Sequence, residues 1–154
     1  MHPKLKKLQT EIDLLGDMPE IRFRLGLVFV EQVAANLESE ESLLALVRYR
    51  QLMSCEDDQA KVELAALAVQ ILDHANKHPG SKSIDGTRHA AVSATYALAY
   101  AMSGKAVQAA AYAAYSGVYD YGGYAVNDPD IFSEVHDQQL EMLRTFIRSE
   151  KNKH

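Results

Sequence analysis

At 154 residues, 47% of them hydrophobic and 24% charged, the chain has the length and apolar content of one globular domain. With a net charge of −5 and only 4 prolines, the composition is that of an ordinary globular protein, and disorder is expected only at the ends. The single cysteine, Cys55, excludes an internal disulfide framework and a multi-cysteine zinc site, and fits a reducing compartment.

The basic residues at the start, Lys4, Lys6 and Lys7, precede no apolar run that would make a signal peptide, so a cytoplasmic protein is expected. Leu5, Leu8, Ile12 and Leu15 form one helical stripe that stops at Gly16, which predicts a first helix over about 4–15. Asp17, Pro19 and Glu20 mark the next start, with aspartate at the cap and proline in the first turn, and predict a second helix over about 19–37. Its segment Phe23-Arg24-Leu25-Gly26-Leu27-Val28-Phe29-Val30 is rich in β-formers. No second strand candidate exists to pair with it, so a central, largely buried helix is the better reading.

Ser39, ahead of Glu40 and Glu41, caps a third helix over about 40–54, with Leu43, Leu46, Val47 and Met53 expected to face one way and Arg48 and Arg50 another. A fourth, over about 57–77, begins in acids and ends in Lys77 and His78, the charge order a helix dipole favours. Leu64, Leu67, Ala68, Ile71 and Ala75 are its expected buried face. Pro79-Gly80-Ser81-Lys82-Ser83 then opens the longest connection, about 79–85.

Helices over about 86–103 and 105–119 follow, joined at Ser103-Gly104 by so short a link that they must form an antiparallel hairpin. Ala90 with Ala94, Ala97 with Ala101, and Ala106 with Ala110 and Ala114 place small residues four apart, which lets backbones approach closely. Both helices are built from alanine and tyrosine rather than leucine and isoleucine, and Ser103-Gly104-Lys105 separates them, so no membrane span is expected. Tyr96, Tyr100, Tyr112 and Tyr115 are expected to space and hydrogen-bond the hairpin from within.

Tyr121-Gly122-Gly123-Tyr124 breaks the helix, and Asp128-Pro129-Asp130 opens a last one over about 129–149, docked by Phe132, Val135, Met142, Leu143, Phe146 and Ile147. Residues 150–154 are expected to fray. Together these elements make an all-α, single-domain bundle of about seven helices over residues 1–154, with the second helix and the alanine-rich hairpin at its centre.

Chemistry is sparse. His74 and His78 stand four apart and Asp85 and His89 repeat that spacing, but a metalloprotease pattern is absent because Ala75-Asn76-Lys77 intervenes. Dipole and capping roles account for these four residues, so no metal or cofactor is expected. A small helical metal-binding protein or enzyme using them is one alternative. Gly80-Ser81-Lys82-Ser83 lacks the glycine that precedes the lysine of a phosphate loop. No Gly-x-Ser-x-Gly elbow occurs, and the carboxylate pairs Glu40/Glu41, Asp57/Asp58 and Asp128/Asp130 sit at helix starts, so no catalytic residue is assigned. Lys4, Lys6, Lys7, Arg22, Arg24, Arg48 and Arg50 suggest a second alternative, a nucleic-acid-binding regulator, although their alternation with apolar residues suits ordinary solvated faces.

The C-terminal half has the opposite character. Between Arg88 and Arg144 the only lysine or arginine is Lys105, against Asp120, Asp128, Asp130, Glu134, Asp137 and Glu141. Such single-sign asymmetry steers a basic partner, and nearby tyrosines supply the aromatic anchors that interfaces favour. The candidate partner-binding surface is therefore Tyr119, Asp120, Tyr121, Tyr124, Asp128, Asp130, Glu134 and Asp137.

The helix His89-Ala90-Ala91…Ala94…Ala97, the run Ala109-Ala110-Ala111-Tyr112-Ala113-Ala114 and the closing Gln138-Gln139-Leu140…Leu143 resemble the all-α immunity proteins encoded beside bacterial polymorphic and contact-dependent toxins. The resemblance implies a small cytoplasmic, non-enzymatic protein that binds a cognate toxin and blocks its active site or substrate entrance. Toxins that act on nucleic acids are commonly basic, a charge that an acidic, tyrosine-bearing face would complement.

Overall fold

The computed structural model describes residues 2–16, 18–55, 57–77, 87–120 and 127–152. Among these the chain is all-helical and without strands. Its seven helices are α1 (Pro3–Asp13), α2 (Pro19–Gln32), α3 (Glu40–Met53), α4 (Asp58–Asn76), α5 (Thr87–Met102), α6 (Ala106–Tyr119) and α7 (Pro129–Asn152), with a 3-10 turn at Ala34–Asn36. They form a single-domain bundle.

Local chemistry sets most of the boundaries. Ser39 Oγ accepts the Ser42 amide at 3.1 Å, and Asp57 Oδ1 accepts that of Ala60 at 2.8 Å. Asp128 Oδ1 accepts the Asp130 amide at 2.9 Å. Each satisfies a donor that the first helical turn leaves open. Gly16 and Gly104, at φ 82° and 77°, take the left-handed conformation at the ends of α1 and α5. At the second of these the Lys105 amide returns to the Tyr100 carbonyl at 2.9 Å and turns the chain into α6.

Three boundaries differ from the sequence expectation. Asp17 lies outside the described residues, and Met18 occupies the cap position of α2 without a side-chain bond. α2 stops at Gln32 instead of running to 37, because the chain tightens into the 3-10 turn and Asn36 is drawn onto α6. α7 continues through Asn152, past 149, with Glu150 gripped by Arg24 through bonds of 2.8 and 3.0 Å. The 79–85 connection lies outside the described residues.

The α5–α6 hairpin is the centre of the bundle, with α2 and α4 against it and α7 packed on α6. Ala90, Ala94, Ala97 and Ala101 of α5 and Ala106, Ala110, Ala113 and Ala114 of α6 are at most 1% exposed. The alanines thus do what their spacing predicts: methyl groups meet and the backbones close up. α2 approaches through Gly26, where an added Cβ would lie 2.9 Å from the Ala101 Cβ. Tyr49 of α3 fills the remaining space. Its hydroxyl donates to the Phe23 carbonyl and to that of Ala101 at 3.3 Å, which ties α3 to α2 and α5. Burial pushes that hydroxyl far above the ordinary phenol range.

Two expectations about facing are corrected. Helices this close leave no room for rings between them, so Tyr96, Tyr100 and Tyr112 lie half-buried on the outside of the hairpin, and Tyr115 is exposed. Among the described residues the buried tyrosine is Tyr49. On α3 the inward face is Ser42, Ala45, Leu46, Tyr49 and Leu52, while Leu43 and Val47 are 43% and 47% exposed. The Tyr49 ring takes the inward position and turns that aliphatic pair outward.

Candidate functional site

The hairpin's outer face is aromatic. Tyr96 and Tyr100 are one turn apart on α5, and Tyr112 of α6 lies against both, with ring centroids at 5.0 and 5.4 Å and near-parallel planes. Lys105 Nζ sits 5.8 Å from the Tyr100 centroid, a cation over the end of the stack. The Tyr96 hydroxyl donates to Asn76 Oδ1 of α4 at 2.6 Å. Partial burial, then the neighbouring Tyr100, Tyr96 and Tyr115 hydroxyls, raise the Tyr112 hydroxyl above the usual phenol value. One turn on, Tyr115 meets Phe132 of α7 edge to face at 5.2 Å, and Tyr119 stacks on His89 at 4.9 Å.

The acids expected to line a partner surface divide into two groups. Asp120 Oδ2 accepts from Asn36 Nδ2 at 2.7 Å, and the same amide reaches Ser116 Oγ at 2.9 Å. Ser116 in turn donates to the Ala90 carbonyl at 2.8 Å, so Asp120 belongs to a network that fastens the 3-10 turn to the hairpin. Asp128 caps α7, and Asp137 pairs with Lys4 Nζ at 2.6 Å. These three already have structural partners.

Asp130 and Glu134 are exposed and have no side-chain partner among the described residues. With Asp137 and Glu141 they follow the spacing of one outward ridge of α7. Asp130 stands in the first turn, where the helix dipole favours a negative charge; Glu134 lies beyond it and gains little from that source. Four residues apart, the two carboxylates repel each other. Glu134 is therefore the acid on this ridge with least reason to be there on structural grounds. Tyr119 is half-buried against His89, and Tyr121 and Tyr124 lie outside the described residues.

Two of the four residues of the metal alternative are described. His74 Nδ1 lies 3.0 Å from Glu41 Oε2 of α3, and His89 faces Tyr119, while His78 and Asp85 lie outside the described residues. Among the described residues no three histidines, cysteines or acids converge as metal ligands would. Of the N-terminal cations, Lys6 and Lys7 are exposed and Lys4 pairs with Asp137, while the arginines are engaged within the fold. Arg24 binds Glu150, Arg48 binds Glu63, Arg50 binds Glu31 at 2.6 Å, and Arg22 donates to the Gly16 carbonyl at 3.0 Å.

A cavity of about 280 Å³ opens between α2, α3 and α4, lined by Phe23, Arg24, Met53, Cys55 and Lys61 among others. Its charges are matched internally, with Lys61 on Glu20 at 2.5 Å and Asp57 capping α4. The buried hydroxyls of Thr95 and Ser116 donate to backbone carbonyls and are not set against a base. No helix among the described residues is long and apolar enough to cross a membrane.

Sequence reasoning did not single out Tyr49, Asn36 or His136, and met Gln139 only within the closing run Gln138-Gln139-Leu140; each of the four organises a contact between helices. His136 and Gln139 form a buried polar pair, His136 Nδ1 to Gln139 Oε1 at 2.9 Å. A polar pair three apart on an amphipathic helix was the one available signal. No family model, curated protein or solved structure matches the chain, so its chemistry is read from its own residues.

Proposed function

We propose that the protein is a non-enzymatic inhibitor, an immunity protein that neutralises a cognate bacterial toxin by occluding its active site through the acidic, tyrosine-bearing face of α6 and α7. The observation that carries the reading is the pair Asp130 and Glu134, exposed, mutually repelling and without an internal partner among the described residues. A basic surface docked there would relieve that repulsion and gain the orientation and speed that opposite fields give to association. Tyr115, 44% exposed and braced by Phe132, offers a rigid aromatic anchor of the kind that carries binding energy.

The likeness of the alanine-rich hairpin to immunity proteins supplies the choice of a toxin as partner and of the cytoplasm as the place of action. The test is protection. The chain is co-expressed with a candidate toxin from a reading frame beside its gene, and cell survival is measured. Survival with the chain and death without it are expected; death in both cases refutes the reading.

A further inference from the structure

We propose that the contact between His2 and His136 is a proton-operated latch, holding α1 on α7 at neutral pH and releasing it in mild acid. On α7, Gln139 Nε2 donates to the Ala110 carbonyl of α6 at 2.8 Å and to Gln32 Oε1 of α2 at 3.3 Å. Its Oε1 is left to accept, and the His136 Nδ1 at 2.9 Å must be the donor. His136 is therefore held as a neutral ring, protonated at Nδ1, and is 2% exposed.

On α1 the opposite tautomer is fixed. His2 Nδ1 accepts the Lys4 amide at 3.1 Å as the helix cap, so that nitrogen carries no proton. The two ring centroids lie 5.2 Å apart, with the planes tilted by 44°. Lys4, beside them, pairs with Asp137 at 2.6 Å.

Acid works against this arrangement at His136. A proton on His136 buries a charge beside Lys4 and His2. Burial above all, with His2 and Lys4, holds the His136 imidazole below its ordinary value, while Gln139 and Asp137 act the other way. Asp137 is already engaged by Lys4, and α2 and α6 bring only the Gln32 amide and the Ala110 carbonyl to this network. The Glu11–Arg144 pair at 3.5 Å stands further along the α1–α7 joint. Released from α1, His136 returns toward 6.5 and takes up a proton, which drives the opening. One proton bounds the gain at about thirtyfold between about pH 7.5 and about pH 5.

Hydrogen–deuterium exchange of the full chain tests the latch, with rates corrected for the intrinsic effect of pH. Opening of α1 should rise about tenfold from about pH 7.5 to about pH 5 while α5 keeps its protection. His136→Asn, which can still donate to Gln139 but cannot titrate, should flatten that response. Equal α1 protection at both pH values, or an undiminished response in H136N, overturns the proposal. Should H136N fail to fold, NMR titration of the wild-type imidazoles decides: α1 must open over the range in which His136 changes state. Opening at any other pH overturns it.

Discussion

Gly26 and Ala101 meet with no side chain between their helices: a Cβ on Gly26 would lie 2.9 Å from the Ala101 Cβ and 3.0 Å from its Cα. This contact sets how deeply α2 sinks onto the alanine hairpin. The hairpin in turn determines where α7 and its acids stand.

Gly26→Ala should therefore destabilise the protein. Replacing a helical glycine gains about 1 kcal/mol of helix propensity, but overpacking against backbone costs about 1–3 kcal/mol. A net loss of about 1 kcal/mol is expected by urea denaturation, and a larger one for Gly26→Leu. A gain in stability would mean that α2 stands further off α5.

Tyr49→Phe removes a buried hydroxyl that serves two carbonyls, and should cost about 1–2 kcal/mol. Tyr100→Phe, at the half-buried stack, should change stability by less than about 0.5 kcal/mol. Equal effects in the two melts would contradict the assignment of Tyr49 as the interior tyrosine.

Asn36 and Asp120 are assigned to structure and not to recognition. Asn36→Ala should cost about 1 kcal/mol by releasing the 3-10 turn from α6, and Asp120→Ala less, since its carboxylate is exposed. Neither should change affinity for the partner by more than about threefold. A greater loss of affinity in D120A would return Asp120 to the interface.

The pH dependence of global stability has a definite sign. The folded His136 titrates below 6.5 and the unfolded one near it. Its contribution is fully present above 6.5 and is lost as pH falls through the lower, folded value. By about pH 5 the loss is bounded at about 2 kcal/mol. Denaturation at a series of pH values should show a shallower decline for His136→Asn than for wild type. Parallel curves would contradict this.

What the sequence made legible was local. The caps at Ser39 and Asp128, the stops at Gly16 and Gly104 and the alanine spacing of the hairpin all follow from chemistry within a few residues. The tyrosines' side was not legible, because spacing three or four apart gives a common face without saying which way it points. Nor was the fate of the acids. Lys4 neutralises Asp137 across 133 residues, and Arg24 holds Glu150 across 126. Only the fold brings such partners together, and they decide which charges remain to bind something else. Of the eight residues first nominated, Asp130 and Glu134 are the acids still without a partner among the described residues. Tyr115, first assigned to the interior, joins them as the exposed aromatic.

The most direct test is the affinity of Glu134→Lys for the proposed toxin partner, measured by calorimetry alongside thermal melts. Reversal places an attractive charge four residues from Asp130, so stability should hold or rise slightly. Affinity should fall at least about tenfold, with most of the loss in the association rate at low salt. Unchanged affinity would contradict the account, because the acid on α7 that structure explains least would then not be there to meet a partner.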